Sequence, residues 1–232
     1  MSATSGAGDS LLGENVRRLL RQVLGDPAVS PAIPPSGTVP STPFLRRSNG
    51  LREFWRGIET EPGLGILDLG SASQSNLSFI TGLGYKLYTE DLFRAPFRVP
   101  AAEKSDGESS EEERFFRENL NYSEGQFAGI LCWDLLDFLP EPLVKPLVEC
   151  LHYFMKPGGN LLTFFHTGTP GQDVPVYQYR IGSADTLEVI GRGAAKLRRH
   201  FNNRAIENLF RKFSSLKFYL SRDSLREVVI VR

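Results

Sequence analysis

Cysteine is scarce in this chain: there are two in 232 residues, and Cys132 and Cys150 do not have metal-ligand spacing. That argues against a disulfide-stapled scaffold and a cysteine-ligated metal site. Both thiols are expected to be free and buried, in a reducing compartment. Long hydrophobic runs are also missing, since none reaches the ~18 apolar residues that a membrane span requires. The Ser/Gly/Ala-rich start has no apolar core of the secretory type, so the expectation is a soluble, cytoplasmic protein. Histidine is limited to three residues, which leaves few candidates for a neutral-pH base.

Net charge is zero, with 27 basic and 27 acidic side chains, but the charge is unevenly spread. From Arg192 onward eleven Lys/Arg face three Asp/Glu, whereas from Gly57 to Gly191 nine face twenty. The basic end reads as a solvated helix or as a surface for an anionic partner. With 41% apolar residues, a chain of this length can bury one α/β core.

Ahead of that core, Leu11, Leu12, Val16, Leu19, Leu20, Val23 and Leu24 share one face of an amphipathic helix over 10–24, with Arg17, Arg18 and Arg21 opposite. Pro27 to Pro43 holds six prolines and reads as a tether, so residues 1–43 form an appendage and 44–232 the folded domain. Such a helix suits docking on its own domain, on a protein partner or on a membrane surface.

Within the domain, Ser48 to Ile58 reads as a lead-in helix. Strands are expected at Gly65–Leu69, Tyr85–Glu90, Phe127–Trp133 and Asn160–His166, with helices over 74–81 and Pro142–Met155. Ala101 to Arg114 reads as a solvated charged insertion. Beyond Gly171 the spacing predicts an inserted hairpin over about 174–191, a helix over Lys196–Phe213, and two closing strands joined by a tight turn. Strands and helices alternate and end in a hairpin, which describes an open, mostly parallel α/β sheet with an antiparallel edge.

Ligands of such sheets lie beyond the carboxyl ends of the strands. Gly70 ends the first strand, where a missing side chain permits a sharp turn and close approach. The next helix then presents its N-terminus to an anion. About twenty residues on, Glu90 and Asp91 end the second strand, where an acid can take ribose hydroxyls.

In this order the segments resemble the class I S-adenosylmethionine-dependent methyltransferases from about Leu51 to the C-terminus. Leu67-Asp-Leu-Gly70 resembles the family's first motif, and Gly84-Tyr-Lys-Leu-Tyr-Thr-Glu-Asp91 its second strand. Glu118 to Phe127 resembles the adenine-side loop, Ile130-Leu-Cys-Trp-Asp134 the fourth strand, and Met155-Lys-Pro-Gly-Gly159 the lead into the fifth. The resemblance implies a Rossmann-like fold with a seven-stranded sheet and helices on both faces. It also implies S-adenosylmethionine as cofactor and in-line methyl transfer to an acceptor.

By the same resemblance, Gly70, Ser71 and Ala72 line the methionine moiety, Asp68 orients the turn, and Asp91, with Glu90 beside it, binds ribose. Asn119 and Leu120 flank adenine, while Trp133 and Asp134 close the site. Helix or turn capping is the plainer alternative for Asp68 and Asp134, and core packing for Trp133. His166, leaving the fifth strand, is the histidine best placed as a catalytic base; a satisfied or solvent-facing histidine is the plainer account. The hairpin residues Val176, Tyr177, Tyr179 and Ile181 and a helix over Arg192–Arg211 are expected to wall the acceptor pocket; their Tyr and Arg content would suit an aromatic or anionic acceptor, and a core-facing alternation explains the same residues.

The chain departs from the family's Gly-x-Gly-x-Gly, carrying Gly70, Ala72 and Gln74. A Gln74 forced to positive φ would cost about 1 kcal/mol or more. The departure motivates the alternative of an inactive methyltransferase-fold scaffold or regulator. A nicotinamide oxidoreductase fits worse, because Gly-x-Gly-x-x-Gly is missing. No metal is expected, and the chain carries no recognised nucleic-acid-binding module.

Overall fold

The computed structural model describes residues 42–58, 61–92, 116, 120–221 and 223–232. The expected helix at 10–24, most of the Pro-rich tether, the insertion at 101–114 and Asn119 lie outside the described residues. The first described elements are β1 (Phe44–Arg47), α1 (Asn49–Gly57), β2 (Gly65–Asp68), α2 (Gln74–Gly82) and β3 (Lys86–Thr89). Next come β4 (Phe127–Trp133), the short α3 (Leu135–Phe138), α4 (Glu141–Phe154) and β5 (Met155–His166). The chain closes with β6 (Asp173–Ser183), β7 (Thr186–Lys196), α5 (Asn203–Leu209), β8 (Ser215–Leu220) and β9 (Leu225–Val231).

The main sheet has the order β3-β2-β4-β5-β9-β8. β3, β2, β4 and β5 run parallel, β9 runs against β5, and β8 runs against β9. β2 and β4 are buried along their whole lengths, as strands covered on both faces must be. One face packs Ile130, Leu161 and Ile230 against Leu147, Leu151 and Phe210 of the α4–α5 layer. The other packs Ile66, Leu131 and Val229 against Phe54 and Trp55 of α1 and against Ile181 and Leu187 of the hairpin. Each such side chain contributes about 1.5–3 kcal/mol by leaving water.

The open, mostly parallel α/β sheet expected, with its antiparallel C-terminal edge hairpin, is found as a mixed sheet in which β8 and β9 form that hairpin. Among the described residues it has six strands rather than seven. The inserted hairpin is longer than expected and belongs to a second, three-stranded antiparallel sheet of order β1-β7-β6. β1 joins it by pairing with β7, and Arg46 ties β1 to the main sheet as well: its guanidinium pairs with Asp223 at 2.5 Å and with Glu227 of β9. Glu227 also accepts from the Ser48 hydroxyl at 2.9 Å and from the Gly50 amide. Ser48 in turn caps α1, its hydroxyl accepting from the Leu51 amide at 3.0 Å.

The helix expected over Lys196–Phe213 shrinks to α5. β7 extends to Lys196, and Leu197 then exchanges backbone hydrogen bonds with Gly171 and Gln172. Phe201 turns into the core, and the Asn202 side chain caps α5 by accepting from Ala205. Extended pairing and a capping asparagine thus divide a stretch whose apolar spacing alone reads as helical. Among the described residues, no helix is long and apolar enough to cross a membrane.

Candidate functional site

Asp68, at the end of β2, is fully buried and organises the turn that follows. Its carboxylate accepts from the Trp133 indole N–H at 2.6 Å, the Asn76 amide at 2.8 Å and the Gly70 backbone at 3.0 Å. Burial raises its pKa above the usual carboxylate value, and these three donors oppose the shift. Gly70 has to be glycine for a local reason: a Cβ there would sit 2.8 Å from the Trp133 ring. The space that glycine frees is taken by the protein's own indole.

Gln74 does not carry the expected strain. Among the described residues Trp133 is the only non-glycine with positive φ, while Gln74 is the exposed first residue of α2. Ser73 caps that helix by accepting from the Asn76 amide at 3.1 Å. The helix therefore begins before Gln74 needs any unusual backbone, and its side chain turns outward to Ser78.

A cavity of about 670 Å³ opens at the carboxyl ends of β2 and β4 and just beyond β3. On the sheet side it is lined by Gly70, Ser71, Ala72, Asp91 and Trp133. The opposite wall is residues 176–180 of β6, together with Arg192 of β7. Five consecutive residues point to both faces of a strand, so β6 presents its edge to the cavity as well as its side chains. Asn76 covers part of that edge: its carbonyl oxygen accepts from the Ile181 amide at 2.7 Å and its amide lies 3.4 Å from the Tyr179 carbonyl. The side chain thereby stands in for a neighbouring strand and fixes the hairpin to α2 and Asp68.

The two candidate ribose acids part company. Asp91 lines the cavity and accepts the Ser71 hydroxyl at 2.7 Å. Glu90 turns instead to the Tyr122 hydroxyl at 2.5 Å. Leu120 is buried with the core side chains on the α4 face and is not among the cavity's lining residues. Trp133 lines the cavity and stacks on Tyr179, with ring centroids 5.1 Å apart and planes 12° from parallel. Its φ of 52° is the left-handed conformation, costing a large side chain about 1–2 kcal/mol, and strain of this kind gathers at functional sites.

Asp134 and His166 lie behind this wall rather than on it. Asp134 is fully buried, accepts the Tyr179 hydroxyl at 3.0 Å and makes no capping bond to α3. Burial pushes its pKa up to about 7. His166 is held by Asp137, whose Oδ2 lies 2.9 Å from Nδ1 and also accepts the His166 backbone N–H at 2.7 Å. Burial acts to lower the His166 pKa, but the Asp137 hydrogen bond and the charges of Asp134 and Asp137 outweigh it, and the net shift is upward. The ring lies parallel to that of Tyr177, a lining residue, at 6.5 Å. His166 is therefore a buried partner of the wall, and the structure does not bring it to the cavity as a base.

Reasoning from sequence missed Asn76 and Arg180, and it placed Arg192 in the pocket wall on a helix, where the structure puts it on β7. A polar residue at the third position of a helix opposite an Asp-x-Gly turn is the one signal that could have singled out Asn76. Cys132 is buried, which pushes its thiol up to about 12, so it is not a nucleophile. Among the described residues no cluster of three or more His, Cys, Asp or Glu could hold a metal ion.

No known family model matches the sequence, and no curated protein matches it. Solved structures do resemble it. A Burkholderia thailandensis 1,6-didemethyltoxoflavin-N1-methyltransferase, solved with bound 1,6-didemethyltoxoflavin and S-adenosylhomocysteine, is 13% identical with a TM-score of 0.42; the match covers 99% of this chain and 91% of that one. A Mesorhizobium loti S-adenosylmethionine-dependent methyltransferase is 14% identical, with a TM-score of 0.45 over 78% of this chain and 96% of that one. An Archaeoglobus fulgidus methyltransferase with the same cofactor dependence is 9% identical, with a TM-score of 0.46 over 78% and 91% of the two chains.

Proposed function

We propose that the cavity binds S-adenosylmethionine and that the protein transfers its methyl group to an acceptor seated against the hairpin. The supporting observation is convergence on one space: the Gly70–Ala72 turn, Asp91 and the hairpin wall all border the same cavity of about 670 Å³. Its size lies in the range of small-molecule sites, about 300–1,000 Å³. The residues fit the cofactor, with Asp91 suited to the ribose hydroxyls and the backbone of Ser71 and Ala72 to the amino-acid end. When bound, the sulfonium supplies a methyl group ready for in-line displacement.

The chain's own part is alignment, which can supply much of the acceleration when two reactants are held in contact. Trp133 and Tyr179 form a rigid aromatic floor, and Asn76 holds the hairpin against the turn. Calorimetry with S-adenosylhomocysteine tests the reading. Saturable binding that is lost in Asp91→Ala supports it, whereas an Asp91→Ala protein with undiminished affinity removes the ribose assignment.

A second reading, a scaffold without turnover, is favoured by one observation. The Trp133 ring already occupies the close approach at Gly70, and Ser71 already engages Asp91. No binding of S-adenosylhomocysteine at millimolar concentration would establish that reading over the first.

A further inference from the structure

We propose that the hairpin side of the cavity is an anion site, in which Arg180 and Arg192 grip a carboxylate or phosphate on the ligand. Calling that ligand the methyl acceptor rests on the function proposed above; the anion site does not. The charged residues lining the cavity divide cleanly, with Asp91 on the sheet side and Arg180 and Arg192 on the hairpin side. The two halves therefore ask for different chemistry.

Arg192 is oriented without being neutralised. The Gln178 side-chain oxygen accepts from both its Nε, at 3.1 Å, and its Nη2, so an uncharged partner sets the guanidinium's direction and, among the described residues, leaves its charge without an acidic partner. Arginine keeps that charge at any working pH. Arg180 carries the second signal. Its Nε is buried and has no hydrogen-bond partner among the described residues.

Among the described residues, the carboxylate that Arg180 pairs with is that of Glu188, which meets its Nη1 at 3.4 Å with both side chains about two-fifths exposed (39% and 40%). A surface pair of that kind is weak and exchanges readily. A ligand oxygen arriving at the exposed end of Arg180 would displace that weak pair, and a planar anion can be held by two guanidinium forks. Tyr177, partly exposed on the cavity wall, offers an aromatic surface beside the anionic group.

The experiment is calorimetric titration of the full chain with benzoate, phenyl phosphate and the uncharged isostere benzamide, with S-adenosylhomocysteine titrated separately into the wild-type protein. Saturable binding of one or both anions, weak or no binding of benzamide, and about a tenfold loss of anion affinity in Arg180→Gln and in Arg192→Gln are expected. The affinity should also fall as salt is added. Preference between benzoate and phenyl phosphate identifies the anionic group.

Equal binding of benzamide, undiminished affinity in folded Arg180→Gln and Arg192→Gln proteins, or no saturable binding of either anion overturns the proposal. Thermal melts of both variants establish that they are folded, and one folded variant suffices. Anion binding without S-adenosylhomocysteine binding would remove the methyltransferase reading and keep the anion site; the converse would remove the anion site alone.

Discussion

Trp133 reaches Asp68 from a left-handed backbone, its φ at 52° and its indole N–H 2.6 Å from the carboxylate. The same ring stacks on Tyr179 and covers Gly70, so one strained residue joins the first parallel strand to the hairpin. The strain is tolerated because Thr163 holds the Trp133 carbonyl, its hydroxyl donating at 2.9 Å.

Trp133→Phe keeps most of the ring and removes the N–H. Asp68 then loses one of three donors inside the core, where an unsatisfied polar group costs about 1–3 kcal/mol. A urea unfolding midpoint lowered by the corresponding amount is expected. An unchanged midpoint would mean that the indole N–H contributes nothing to holding Asp68.

Asn76→Ala should loosen the hairpin more than it loosens the sheet. The substitution removes the acceptor for the Ile181 amide and a donor to Asp68, both buried. Hydrogen exchange at Ile181 and along the β6 edge should accelerate at least tenfold, while β4 amides keep their protection. Uniform acceleration across both sheets would show that Asn76 acts on global stability instead.

Much of the main sheet was legible because its signals are local. Phe127 to Trp133 is an unbroken buried run, and the strand found has those same bounds. Ser48 and Ser73 sit just before their helices and cap them through their own hydroxyls. The second sheet was not legible, since β1 pairs with β7 some 140 residues away (Phe44 with Val189) and depends on a buried ion pair that no local pattern announces. Within the candidate site, Gly70 and Asp91 follow from strand ends and turn chemistry. The backbone of Trp133 and the hairpin role of Asn76 arise from packing between segments far apart in sequence. For His166 the sequence places the strand end and leaves base and satisfied histidine both open, because Asp137 and Tyr177, which enclose its ring, come from other elements.

Asp134 and His166 make stability depend on pH in one direction. The Asp134 pKa rises from 3.8 to about 7 through burial, so in that window the folded chain holds a proton that the unfolded chain has released. Stability therefore falls as pH rises from about 4 to about 7. His166, raised above 6.5 and facing Asp134, Asp137 and the Tyr177 ring, adds stability that is present at low pH and lost as pH climbs through its folded value. Asp134→Asn removes the first contribution, so its urea midpoint should drop less than the wild type's between about pH 5 and about pH 8. Parallel pH profiles for the two proteins would show that Asp134 does not titrate in this range.

Arg46→Met tests how the N-terminal strand is held. Arg46 and Glu227 are each about 2% exposed, and Asp223 supplies a second carboxylate to the same guanidinium. Removing one partner leaves Glu227 buried with only the Ser48 and Gly50 donors, and breaking a buried pair in this way costs about 3–5 kcal/mol. Arg46→Met/Glu227→Leu removes both charges, so it should recover part of that loss even though the Ser48 hydroxyl and Gly50 amide then lack their acceptor. Urea midpoints of the wild type and both variants decide the matter. If the double variant is no more stable than Arg46→Met, removing the Glu227 charge recovers no more than orphaning those two donors costs, and the unpaired charge is not the dominant penalty in Arg46→Met.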